Sequence, residues 1–183
     1  MEPAISYDHV SYDDYSFKSK KTRKNEGRSQ LMDELFLEAT IVPAIEANGK
    51  RRALQALSER LSADNGLDPQ VVMDLLLARE QLGATGVGGG VAMPHGRVAG
   101  LNKLVVAFGR LKSPVEYESP DGEPVDLILM LLAPEDAGSA CLKALSMASR
   151  ILRNNDIRDQ LRAAENASSI RKILAKKHQA LAA

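Results

Sequence analysis

Val125-Asp126-Leu127-Ile128-Leu129-Met130-Leu131-Leu132, running on through Ala133 to Pro134, is the stretch that decides the fold. It is strand-sized, and it is apolar at odd and even positions alike. That is the pattern of a β-strand kept dry on both faces, in the middle of a sheet with helices above and below it. Pro134 ends it, because proline brings no N–H to a ladder. Upstream, Ser119-Pro120-Asp121-Gly122 reads as a turn: proline pre-sets φ and glycine accepts the reversed one. Before the turn, Lys103 to Leu111 reads as a second strand. Val105, Ala107 and Gly109 face one way there, and Val106, Phe108 and Arg110 the other.

Farther out the pattern alternates. Ala39 to Ile45 is a short β-branched run closed by Asn48-Gly49, with Pro43 marking an edge or a bulge. From Lys50 the period becomes helical, with Leu54, Leu57 and Leu61 on one face. Asp68 and Pro69 supply an N-cap and a proline at the first helical position. The helix they start carries Val72, Leu75, Leu76 and Arg79 and stops before Gly83. Three helices finish the chain. The first runs from Ser139 to Arg153 with Cys141, Leu142, Leu145, Ala148 and Leu152 inward. Asp156 is expected to cap the second, burying Ile157 and Leu161. Ser168 is expected to cap the third, with Ile170, Ile173 and Leu174 on one side. The expected class is α/β: a mixed β-sheet sandwiched between helices, in one domain over residues 31–183. Residues 1–30, with a basic run from Lys18 to Lys24 and no apolar period, read as a disordered or loosely attached tail.

Composition narrows the function. The 183 residues hold 24 basic and 24 acidic side chains, which argues against a nucleic-acid coat. A single cysteine excludes an internal disulfide and fits a reducing compartment. No apolar run reaches the length of a membrane span, and the first residues lack a secretory pattern, so a cytoplasmic protein is expected.

The chemistry concentrates in Gly83-Ala84-Thr85-Gly86-Val87-Gly88-Gly89-Gly90-Val91-Ala92-Met93-Pro94-His95. The glycines let the backbone approach a bound group closely. A Walker loop needs a lysine that is missing between Arg79 and Lys103, and the dinucleotide fingerprint would require glycine at Val91. Three scattered histidines and one remote cysteine give no metal spacing, so no metal and no cofactor is expected. No Gly-x-Ser-x-Gly elbow is present. His95 remains, as an imidazole able to attack phosphorus near neutral pH. Amides of Gly86, Gly88, Gly89 and Gly90 could cradle the resulting phosphate, Arg79 could pair with it, and Thr85 offers a hydroxyl. On residue types alone, His95 is equally a hydrogen-bonded loop histidine and Arg79 a solvated helix-end cation.

Arg79-Glu80-Gln81-Leu82-Gly83-Ala84-Thr85-Gly86-Val87-Gly88, leading into Val91-Ala92-Met93-Pro94-His95-Gly96-Arg97, resembles the active-site signature of enzyme IIA domains. These are of the fructose/mannitol class in the phosphoenolpyruvate-dependent phosphotransferase system. Glu123 to Pro134 is similar to that family as well. With no IIB or IIC segment beside it, the chain is most similar to the nitrogen-regulatory branch. The resemblance implies that His95 is the phosphoacceptor of a stoichiometric phosphocarrier, with Arg79 and Thr85 beside it. It implies an HPr-like phosphocarrier protein as phosphoryl donor and regulatory protein partners, a kinase or a transporter, in nitrogen, carbon or potassium regulation. Two other roles stay open, a non-phosphorylated binding module and a IIA donor to a sugar-specific IIB component. Two positions depart from the family pattern: Ala84 replaces the usual serine, and Cys141 stands where many members carry a second histidine. Cys141 is also readable as a small buried residue on an amphipathic helix.

Overall fold

The chain is described here by a computed structural model that covers residues 34–182, with side chains through residue 175. The tail read over residues 1–30 lies outside the described residues. After a helical turn at 34–37 come β1 (Thr40–Ile45), α1 (Lys50–Asn65) and α2 (Pro69–Gln81). Four strands, β2 (Gly86–Gly88), β3 (Val91–Ala92), β4 (His95–Val98) and β5 (Val105–Val115), lead to β6 (Val125–Pro134). The helices α3 (Ala140–Leu152), α4 (Asn155–Ala163) and α5 (Ala167–Ala182) complete the order.

The sheet is mixed and runs β1-β5-β6-β3-β2, with β4 also on β6. β6 is its axis. From Leu127 to Ala133 every side chain is inaccessible to water. Leu127, Leu129, Leu131 and Ala133 point into a core shared with α3, α4 and α5, including Ala144, Ala148, Ile151, Leu161, Ile170 and Leu174. Ile128, Met130 and Leu132 point the other way, against Leu54, Leu57 and Leu61 of α1 and Val72 and Leu76 of α2. The period-two pleat thus feeds two separate cores from one strand. β5 runs antiparallel along one edge of β6, and its alternating residues divide between the cores as expected. It runs four residues beyond the expected Leu111, because Val115 pairs with Val125 after a register shift. β1 lies at the sheet edge beside β5, with an irregularity between Val42 and Ile45 where Pro43 interrupts the ladder.

Helix starts follow cap chemistry. The Asp68 carboxylate accepts from the Gln70 amide, and Pro69 follows it as expected. Two expected caps are corrected. Asn154, not Asp156, caps α4 by accepting from the Ile157 amide, which leaves Asp156 in the first turn where its charge suits the helix dipole. Asn166, not Ser168, accepts from the Ser169 amide and hydroxyl at the head of α5. In both places the expected residue stands two positions after the one that caps, and both have side chains able to accept from a backbone N–H. Leu142 is also corrected: it is 68% exposed, and α3 buries Cys141, Ala144, Ala148, Ile151 and Leu152. Leu142 lies about 100° around the helix from Cys141, outside the stripe centred on Ala144 and Ala148.

Arg110 ties the layers together. Its Nη1 donates to the carbonyls of Leu161, Arg162 and Ala164 at the end of α4, at 3.1, 2.6 and 2.6 Å, and its Nε to that of Pro43 at 2.9 Å. The first three are acceptors that a helix end otherwise leaves without partners.

Leu129→Ala is expected to cost about 3 kcal/mol by opening a cavity that neighbouring strands cannot fill, read as a lower urea midpoint at unchanged slope. Arg110→Met should cost about 2 kcal/mol by stranding those carbonyls, and a melting temperature equal to wild type would refute that role.

Candidate functional site

The glycine-rich segment folds as a β-hairpin. β2 and β3 pair with Gly86 opposite Ala92 and Gly88 opposite Val91, which leaves Gly89 and Gly90 as a two-residue turn. Both have positive φ, 63° and 77°, a conformation glycine adopts without strain and one that suits a tight hairpin. The turn is held from outside the site. Arg162 pairs with Asp126 through two bonds of 2.7 and 2.8 Å and also donates to the Gly89 carbonyl. The Gly89 amide donates to Asp121, and this bond, with a second from the Glu123 amide, keeps the Asp121 carboxyl below the usual carboxylate range.

The chain then runs alongside β6 in two pieces. β3 pairs with Leu127 and Ile128, and β4 pairs with the strand from Leu131 to Pro134, with His95 opposite Leu131. Met93 and Pro94 separate the two pieces. This break bears directly on the histidine. The Met93 carbonyl accepts a hydrogen bond from His95 Nδ1 at 2.9 Å. A carbonyl can only accept, so Nδ1 carries the proton and Nε2 presents a lone pair. The Arg79 Nε–H donates to that Nε2 at 3.2 Å, consistent with the same tautomer. Arg79 is in the last turn of α2, and its Nη1 is anchored on the Gly83 carbonyl at 2.9 Å.

Around this pair lies an open cleft of about 320 Å³, lined by Arg79, Ala84, Thr85, Gly86, Val87, Met93 and His95, with Leu145, Ser146 and Ser149 of α3 opposite. His95, Arg79, Thr85 and Gly86 are therefore brought together. Gly88, Gly89 and Gly90 are not in the lining; they form the hairpin turn and its contacts to Asp121 and Arg162. Cys141 lies outside the lining too, one helical turn before Leu145 and inside the core. Burial pushes its thiol up, with the Arg97 guanidinium acting the other way.

Behind the cleft wall is a cluster that the motif reading did not single out. Glu80, with a side chain 5% exposed, accepts from the Thr85 amide at 3.2 Å and from the Thr85 hydroxyl. Lys50 bonds the same carboxylate at 2.7 Å, and the Tyr117 hydroxyl donates to it at 3.5 Å. Burial, ahead of the Glu80 charge, pushes the Tyr117 phenol well up. Glu80 follows Arg79 directly in the sequence, so its place in the motif was the available signal. Lys50, at the head of α1, and Tyr117, beyond the end of β5, gave none.

The model of the family described as phosphoenolpyruvate-dependent sugar phosphotransferase system, EIIA 2, matches residues 34–177. The nitrogen regulatory protein of Bradyrhizobium diazoefficiens is 45% identical over 142 residues, covering 78% of this chain and 93% of that protein. The nitrogen regulatory protein of Escherichia coli is 34% identical over 151 residues, covering 82% of this chain and 92% of its own. Among solved structures, the nitrogen regulatory protein IIA-Ntr of Neisseria meningitidis is 38% identical with a TM-score of 0.70, covering 75% of this chain and 94% of that one. With its mixed sheet, its histidine beside the hairpin and these relatives, the chain belongs to the EIIA 2 family of the phosphoenolpyruvate-dependent sugar phosphotransferase system.

Proposed function

We propose that this chain is a cytoplasmic regulatory phosphocarrier that receives a phosphoryl group on His95 Nε2 from an HPr-like phosphocarrier protein. Its phosphorylation state then signals to protein partners, as the names of its nitrogen-regulatory relatives suggest. One observation carries the reading: Met93 holds the Nδ1 proton, so the Nε2 lone pair faces an open cleft beside a guanidinium. In the transfer, the Nε2 lone pair forms a bond to phosphorus. The N–P bond of the donor phosphohistidine breaks, and its electron pair returns to the donor ring. The arriving phosphorus displaces the Arg79 bond to Nε2. Arg79, still tethered to the Gly83 carbonyl, turns its N–H groups to the phosphoryl oxygens, a charge-assisted contact stronger than a neutral one. Thr85 and Gly86 supply the neighbouring wall.

The Nδ1–H bond to Met93 has a second effect. A phosphorylated imidazole carries more positive charge on its ring, and a carbonyl aimed at the ring N–H stabilises that charge. Members with a second histidine have an extra donor at the position of Cys141. Here the thiol is buried outside the cleft lining, so retention of the phosphoryl group rests on Arg79 and on the wall from Ala84 to Val87.

Incubation with phosphoenolpyruvate, enzyme I and the cognate carrier should add one phosphoryl mass to the intact protein, and His95→Ala should abolish the gain. A wild-type protein that stays at its original mass refutes the proposal. Arg79→Gln should slow the same reaction about 10²-fold, the usual scale for losing one donor aimed at developing charge, while leaving the melting temperature within a few degrees of wild type.

A further inference from the structure

The phosphoryl group proposed above arrives as a dianion, yet a buried carboxylate stands one residue behind the cleft wall. The Glu80 side chain is 5% exposed, and it accepts from both of Thr85's donors, the backbone N–H and the side-chain hydroxyl. Thr85 itself is buried and lines the cleft with His95. A carboxylate so close to an incoming anion is repulsive unless it is balanced, and at a few ångströms in a partly dry site one unit charge is felt strongly.

Lys50 supplies the balance. Its ammonium lies 2.7 Å from Glu80, stacks 4.7 Å from the centre of the Tyr117 ring, and reaches the exposed Glu118 at 3.1 Å. The groups facing Glu80 are thus Lys50 from α1, Tyr117 from the segment after β5, and Thr85 from the loop before β2. Arg79, on its own helix, is turned to His95. A second observation marks the same spot. Glu118 is, among the described residues, the one non-glycine residue with positive φ, 56°.

We propose that Glu80 and Lys50 are positioning residues of the His95 site: Glu80 clamps Thr85 into the cleft wall, and Lys50 cancels the clamp's charge so that it does not repel the phosphoryl group. This rests on the phosphocarrier reading and adds two residues to it, neither of which touches the transferred group. The clamp explains why the wall is preformed. The counter-charge explains why an anion can stand against it.

The test uses potassium phosphoramidate, a small phosphoryl donor that needs no docking surface, on the full chain, with the phosphorylation rate read by intact mass. Lys50→Met should slow phosphorylation about tenfold, because it leaves Glu80 uncompensated. Lys50→Arg should restore the rate. The double variant Lys50→Met with Glu80→Gln should also return toward wild type, since the amide oxygen still accepts from Thr85 and the buried charge is gone, leaving only the exposed Glu118 carboxylate beside position 50. Glu80→Ala, which strands both Thr85 donors, should stay slow. Recovery in the double variant is the decisive result, since lost packing or stability would deepen with the second substitution. A wild-type chain phosphorylated by the carrier system, with Lys50→Met as fast as wild type toward phosphoramidate, overturns this inference alone. So does a double variant slower than Lys50→Met. A wild-type chain that takes up no phosphoryl group from either donor overturns the proposed function, and this inference with it.

Discussion

Every functional contact in this protein is referred to one constraint: β6 must be dry on both faces. A strand with seven consecutive inaccessible side chains, Leu127 to Ala133, has to be covered by two helical layers and flanked along both edges. β5 takes one edge. The other goes to β3 and β4, so the ladder that protects β6 also carries His95 to its place opposite Leu131. The helices that shield the two faces meet at the same cleft: α2 delivers Arg79 from its last turn in one layer, and α3 delivers Leu145, Ser146 and Ser149 from its middle in the other. Core and site are one arrangement seen from two sides.

The electrostatics of the site follow a similar economy. Two cations and one buried carboxylate serve it, with Arg79 on the histidine, Glu80 on Thr85 and Lys50 on Glu80. Adjacent positions on α2 point in different directions, because successive residues on a helix are about 100° apart. Arg79 can therefore face the cleft while Glu80 faces the interior. One dipeptide at the end of a helix supplies both the group bonded to His95 and the group that accepts from Thr85.

Much of this was legible from the residues, for reasons that differ by element. The two-faced apolar run of β6, the alternation in β5 and the Asp68-Pro69 start of α2 are local patterns, and each has a single stable reading. The caps at Asn154 and Asn166 are not legible, because Asp156 and Ser168 close by have equivalent capping chemistry. Leu142 was misplaced because an apolar side chain beside a buried stripe looks the same in sequence as one within it. In the glycine-rich segment the composition spoke for a loop, while the fold made it a hairpin whose turn is anchored by Asp121 and Arg162. Arg79 and His95 stand 16 residues apart and meet at 3.2 Å, which the family signature implied and spacing alone did not. The Lys50–Glu80 pair joins helices whose relative placement is a tertiary matter, so no window of sequence displays it.

The break between β3 and β4 has one more consequence. Because the Met93 carbonyl is occupied by Nδ1–H, the histidine needs no neighbouring base to prepare it. On the phosphocarrier proposal, the Nδ1 hydrogen takes no part in the bond exchange at Nε2, so the ring would receive phosphorus without shedding a hydron. A relay of that kind would hand on its cargo with no acid–base step of its own, from a tautomer that the Met93 carbonyl and the Arg79 N–H fix together.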